Sequence, residues 1–160
     1  MSARHSESDI DALVELDRLN MSAVIEASGG HFDRDFRRGK LLRELQEGAV
    51  VKVLRRERKV VAYLEYRPEM DGSWRVLSIQ IHPDHRGGGL LRSLLGLAAE
   101  AIRGGEPRRV ATSAHVGNAP SISLHERLGF ERGAVEGDRV LFEIDGDTLR
   151  DHLARFARLS

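Results

Sequence analysis

One stretch decides the fold: Ile79-Gln80-Ile81-His82-Pro83-Asp84-His85-Arg86-Gly87-Gly88-Gly89-Leu90-Leu91-Arg92-Ser93-Leu94-Leu95. With Leu77 before it, Ile79 and Ile81 alternate onto one face, so residues 74–81 read as a strand that Pro83 ends. Leu90, Leu91, Leu94, Leu95, Ala98 and Ile102 then recur at helical spacing up to about Arg103. A strand that feeds a glycine-rich loop and then a helix gathers unpaired N–H groups and the positive end of the helix dipole at one point. An anion such as a pyrophosphate fits there. Gly87, Gly88 and Gly89 carry no Cβ to hold a phosphate away from the amides. Arg86 and Arg92 are placed to add charge-assisted contacts. The spacing is neither the G-x-G-x-x-G of a dinucleotide site nor a Walker loop, since no Gly-Lys-Ser/Thr follows. From the glycines alone, a flexible turn accounts for the loop equally well.

Working outward, residues 49–54 and 60–66 are valine-rich strands around the polar turn Arg56-Glu57-Arg58-Lys59, a hairpin pattern. Upstream, Ser8 is a candidate helix cap with Asp9 and Asp11 in the first turn. The helix has an imperfect stripe of Ile10, Leu13, Leu16 or Asp17, Val24 and Ile25, and Gly29-Gly30 ends it. A second helix over 33–46 has Phe32, Phe36, Leu41, Leu42 and Leu45 as its expected buried side. Downstream come a strand over 109–114, a helix over 118–128 closed by Gly129, a hairpin of 130–135 with 139–144, and a helix over 147–159. Hairpins combined with strand-helix-strand crossovers predict one α/β (α+β) domain over 1–160 with a single mixed sheet. Its parts are a helical region (1–48), a core (49–144) and a C-terminal helix (145–160).

The composition narrows the function. Lys+Arg and Asp+Glu number 25 each, which argues against a nucleic-acid binder. Three of the basic residues are lysines (Lys40, Lys52, Lys59) and the rest arginines, which suit phosphate contacts. No cysteine is present, so no disulfide, thiolate nucleophile or Cys-based zinc site is expected. His5, His31, His115 and His152 show no metal-ligand spacing, and no metal is expected. No run approaches the ~20 apolar residues of a membrane span, and residues 1–9 are too polar for a signal peptide. A cytoplasmic location is the default expectation.

Two blocks together resemble the GNAT superfamily of acyl-CoA-dependent N-acyltransferases. The first, Ile81-His82-Pro83-Asp84-His85-Arg86-Gly87-Gly88-Gly89-Leu90-Leu91, is similar to that family's Val-x-Pro-x-x-Arg-Gly-x-Gly-Ile-Gly, with Leu91 where a small residue is usual. The second, Asn118-Ala119-Pro120-Ser121-Ile122-Ser123-Leu124-His125-Glu126-Arg127-Leu128-Gly129-Phe130, is similar to its Asn-x-x-Ala/Ser-x-x-Leu-Tyr-x-x-x-Gly-Phe. The resemblance spans about 50–144. It implies a mostly antiparallel sheet with flanking helices and splayed central strands. It implies acetyl-CoA as co-substrate, with the backbone of Ile79, Gln80 and Ile81 holding the pantetheine arm and polarising the thioester carbonyl. Gly87, Gly88, Gly89, Leu90, Leu91 and Arg92, with Arg86, would cradle the pyrophosphate. Asn118 would contact the pantetheine or cap its helix, or both. His125 stands where relatives have the tyrosine that protonates the departing sulfur; packing beneath the loop is the alternative.

The acceptor would be a small-molecule or protein amine, met by the N-terminal helices, with no nucleic acid or membrane partner and a homodimer open. Relatives usually begin with a strand, and none is evident before the first helix. They often carry an acid where this chain has Leu77 and Ser113, so no general base is evident. Glu65 reads more simply as a solvated strand residue than as one facing the acceptor cleft. His82 and His85 read as exposed, and Trp74 as core or cleft wall. A domain that only senses acyl-CoA is the competing function.

Overall fold

The structure is a computed structural model that describes residues 5–87 and 89–158. Two helices, α1 (Glu7–Ala27) and α2 (Arg34–Gln46), lead into the strands β1 (Val50–Arg56), β2 (Lys59–Pro68) and β3 (Trp74–Ile81). Then come α3 (Leu90–Gly105), β4 (Arg109–His115), α4 (Ala119–Arg127), β5 (Glu131–Glu136), β6 (Arg139–Asp145) and α5 (Gly146–Arg158). The six strands form one sheet in the order β1-β2-β3-β4-β6-β5. All neighbours are antiparallel except β3 and β4, which the α3 crossover makes parallel. Among the described residues no strand precedes α1, so β1 is a sheet edge.

The helices cover both faces. On one, Ile10, Leu13, Val14 and Leu16 of α1 and Leu41 of α2 pack on Val51, Val60 and Tyr63. On the other, Leu94 of α3 packs on Ala62, Leu64 and Tyr66, and Leu149 and Leu153 of α5 join the cluster under β4 and β6. β2 is therefore covered on both sides. Its period-two alternation places Tyr63 and Glu65 under α1 and α2, and Ala62, Leu64 and Tyr66 under α3. Trp74, half-buried at the start of β3, stacks on Tyr66 with centroids 4.6 Å apart and packs against the core.

Three local expectations change. The cap of α1 is Ser6, whose Oγ accepts from Asp9 N at 3.1 Å, two residues earlier than Ser8. Ser6 satisfies an orphan amide there, which Ser8, already inside the helix, cannot do. Phe36 is 66% exposed. Asp33 caps α2 through Phe36 N, which puts Phe36 at the helix entrance, away from the α1 contact. Leu77 does not share the face of Ile79 and Ile81: Val76 packs with them instead. Glu65 pairs with Ser78 and Tyr66 with Val76, so Leu77 is an extra residue in β3, a β-bulge that shifts the alternation by one.

Candidate active site

That bulge sits where β3 and β4 part. The two strands pair only at Trp74↔Val110 and Arg75↔Ala111. Beyond Arg75 they diverge into a cleft of about 1160 Å³, with Leu77 and Ser78 on one wall and Thr112 and Ser113 on the other.

Most of the residues singled out from the sequence meet here. Ile79, Gln80, Ile81, Arg86, Gly87, Gly89, Leu91, Asn118 and His125 all line the cleft. Leu90 is buried in the core, so only its backbone is available at the start of α3. Arg92 is exposed and does not line the cleft. Gly88 lies outside the described residues. Gly89 has φ +80°, the left-handed region that favours glycine, and it is the N-cap of α3. No side chain caps this helix and no acid stands in its first turn, so its leading amides face an uncompensated positive pole. Asn118 is the N-cap of α4, its Oδ1 accepting from Ser121 N at 3.3 Å.

Arg86 is held from across the cleft. It donates to Asn20 Oδ1 at 2.6 Å, and Asn20 Nδ2 donates to Gln80 Oε1 and to Ile81 O, each at 2.9 Å. α1 is thereby tied to the end of β3 and to the glycine-rich loop.

His125 is buried, stacked on Phe142 at 4.9 Å and edge-on to Phe130 at 5.4 Å. Nδ1 lies 2.7 Å from Ser121 O, which can only accept, so Nδ1 carries the hydrogen. Nε2, 3.2 Å from Thr112 Oγ1, is then the acceptor of the hydroxyl in the neutral ring. Burial pushes its pKa below the ordinary 6.5 and Arg139 pushes the same way, against the Ser121 carbonyl. On the far wall Arg139 donates to Ser113 Oγ from Nε at 3.2 Å and to Ser113 O at 3.1 Å. His115 is buried too, with Nδ1 accepting from Gly117 N at 3.0 Å and Nε2 3.3 Å from Ser28 Oγ.

The wall under α1 and α2 carries a dense polar cluster. Arg37 contacts Asp17 at 2.5 Å, Glu44 at 2.9 Å and Glu65 at 3.2 Å. Glu65 is 0% exposed, which corrects the solvated reading. Burial and the Glu44 carboxylate push its pKa up to about 8, against the pull of Arg37. With both carboxylates ionised, Glu65 Oε2 has no partner. Protonated, it becomes a donor that Glu44 can accept. Tyr63 donates to Asp17 and lies 2.9 Å from Ser78 Oγ. Among the described residues no group of three or more His, Asp or Glu side chains is arranged to hold a metal ion. No described helix is long and apolar enough to cross a membrane.

The pattern of the Acetyltransferase (GNAT) family matches residues 11–130. The chain belongs to that family. Solved structures of the same fold include the PaiA N-acetyltransferase of Thermoplasma acidophilum in complex with coenzyme A, with 15% identity, TM-score 0.71, and 89% of this chain and 96% of that one covered. The yncA protein of Salmonella typhimurium with its cofactor acetyl-CoA has 22% identity and TM-score 0.64, over 91% and 92% of the two chains. The ribosomal-protein-alanine N-acetyltransferase of Brucella melitensis has 26% identity and TM-score 0.60, over 88% and 95%. No curated protein matches the chain.

Within this GNAT domain, sequence reasoning missed Asn20, Arg37, Tyr63 and His115. Asp17 and Asn20 carried a signal. They are polar residues at stripe spacing in α1, among Leu13, Leu16 and Val24, and a polar group on a buried stripe requires a partner. Arg37 and His115 gave none, because the partners that place them in the site, Asp17 and Glu65 for Arg37 and Ser28 for His115, lie 20 or more residues away in the sequence.

Proposed function

We propose that the chain is an N-acetyltransferase that moves the acetyl group of acetyl-CoA to a primary amine by direct attack in a ternary complex. The observation that carries this is the split between β3 and β4 beside the uncapped N-terminus of α3. A slot between two strands offers backbone groups to an amide-bearing arm, and the helix pole at its end suits a diphosphate. The glycine cradle fits that group, since nothing stands within 4 Å of where a Cβ on Gly87 or Gly89 would lie. Two proteins of this fold have coenzyme A or acetyl-CoA bound.

In this reading acetyl-CoA supplies an activated thioester carbonyl. The backbone of residues 79–81 orients it and donates N–H groups to the developing oxyanion. Arg86 and the first amides of α3 hold the diphosphate. His125 serves the leaving sulfur. Its neutral ring takes a proton from the collapsing tetrahedral adduct and returns one through the Thr112 hydroxyl that it shares. No cysteine is present to form a thioester on the enzyme, which agrees with direct attack. The acceptor is a small molecule or a protein amine.

Leu77 and Ser113 supply no acid on the cleft walls, and this favours a second reading, an acyl-CoA sensor without turnover. Calorimetry with acetyl-CoA and free coenzyme A tests the site. Micromolar binding that Gly89→Glu weakens at least tenfold is expected, and no binding at millimolar ligand in a folded sample overturns the proposal. Thiol release with a panel of amines then separates enzyme from sensor.

A further inference from the structure

The cleft wall under α1 holds a chain of hydroxyls that ends on a carboxylate. Ser78 and Asp17 line the cleft, and Tyr63 is fully buried behind them. The hydrogens in this chain have one consistent direction. Asp17 accepts, so the single Tyr63 hydrogen is committed to it. Arg37, 3.4 Å from Tyr63 Oη, can only donate. Ser78, 2.9 Å from the same oxygen, must therefore give its hydrogen to Tyr63. This leaves Ser78 Oγ an acceptor on the cleft side, next to the bulge at Leu77 where the strands part.

The far end has room for a proton. Three carboxyls surround one guanidinium: Asp17 of α1, Glu44 of α2 and Glu65 of β2 face Arg37 of α2. β3 adds only the neutral Ser78 and Gln80, with Gln80 Nε2 3.5 Å from Ser78 Oγ. Burial raises the affinity of Asp17 for a proton in spite of Arg37. Burial also holds the Tyr63 phenol well above its ordinary value, so it passes a hydrogen on without ionising.

We propose that Ser78, Tyr63 and Asp17 form a proton relay that strips an acceptor arriving as an ammonium ion, with Ser78 as the group that touches it. The inference rests on the N-acetyltransferase reading. In the step, an N–H bond of R–NH3+ breaks and its proton goes to Ser78 Oγ. The Ser78 hydrogen passes to Tyr63 Oη, and the Tyr63 hydrogen to Asp17 Oδ1. The freed amine forms its bond to the thioester carbon, the C–S bond breaks with its electron pair on sulfur, and the second nitrogen proton ends on the thiol. Asp17, which lines the cleft, returns its proton to water there.

The relay supplies what Leu77 and Ser113 lack, and it makes Tyr63 and Asp17 positioning residues that act through Ser78. The test compares wild type, Ser78→Ala, Ser78→Thr and Tyr63→Phe in the full chain. It reads kcat/KM for the best amine from pH 6 to 10, acetyl-CoA Kd by calorimetry, and fold by circular dichroism. Ser78→Ala and Tyr63→Phe are expected to lose roughly 100-fold in kcat/KM at pH 7, the usual scale of general-base assistance. Acetyl-CoA Kd should stay within about twofold. The deficit should shrink as pH rises past the amine's own pKa, because free base then arrives without help. Ser78→Thr, which keeps the hydroxyl, should recover most of the rate. If Tyr63→Phe does not fold, Ser78→Ala against Ser78→Thr decides. A wild type that transfers, with Ser78→Ala matching its rate and pH profile, overturns the relay alone. A wild type that binds acetyl-CoA and transfers to no amine overturns the enzyme reading and the relay with it.

Discussion

Glu65→Gln should make the protein more stable at pH 8 and leave it nearly unchanged at pH 5. Glu65 has no exposed surface and shares one guanidinium with Asp17 and Glu44. Its pKa is about 8 in the folded chain, against an ordinary 4.5. Between those values the folded state keeps a proton that the unfolded chain has released. Rising pH therefore favours unfolding, and this loss is complete only above pH 8. Each pH unit in that window is worth up to ~1.4 kcal/mol, so the loss accumulates to a few kcal/mol, with roughly 5 kcal/mol as a ceiling. Glutamine is the isostere of the protonated acid. Its carbonyl can accept from Arg37 as Oε1 does at 3.2 Å, and its NH2 can donate to Glu44. The stability of the variant should then lack this pH-dependent part. Urea titrations at pH 5, 6, 7 and 8 measure the two curves, and their difference reports Glu65 together with its hold on Glu44 and Asp17, which share Arg37. Parallel curves over the whole range would refute the buried, proton-holding carboxyl.

Three further outcomes are expected. Gly89→Ala forces an L residue to φ +80° but meets no atom within 4 Å. It should cost about 1–2 kcal/mol of stability and weaken coenzyme A binding, read by melts and calorimetry on the same sample. His125→Phe should lower kcat about 100-fold while acetyl-CoA affinity holds, and unchanged turnover would remove His125 from the mechanism. Gly105→Ala would set a Cβ 2.1 Å from Trp74 Cζ2. The displaced indole should cost about 1–3 kcal/mol. Trp74 is the single tryptophan, so its fluorescence should shift with the melt.

The fold was largely legible because its signals are local. Pro83 and the glycine run mark the end of β3 and the start of α3. Alternation in 60–66 and the leucine spacing in 90–102 identify their elements without reference to anything distant. The bulge at Leu77 was not legible, because a strict alternation of Leu77, Ile79 and Ile81 looks like an unbroken strand. Only the pairing with β2 shows that Val76 takes the inward place. The same limit hid the polar cluster. Glu65 in isolation resembles any solvated strand acid, and its burial depends on Arg37, 28 residues earlier. The cofactor side is a contiguous motif, whereas the acceptor side is assembled from α1, α2, β2 and β3.

The parting of β3 and β4 gives this sheet a pair of free edges in its interior. Backbone groups on an open edge ordinarily recruit another strand from a neighbouring molecule, a route to aggregation. Here those edges face each other across the cleft, with α1 lining one side, and not outward toward a neighbouring molecule. Their unpaired amides and carbonyls are left for whatever enters the cleft. The same geometry that opens the sheet to the cleft thus guards it against its own kind.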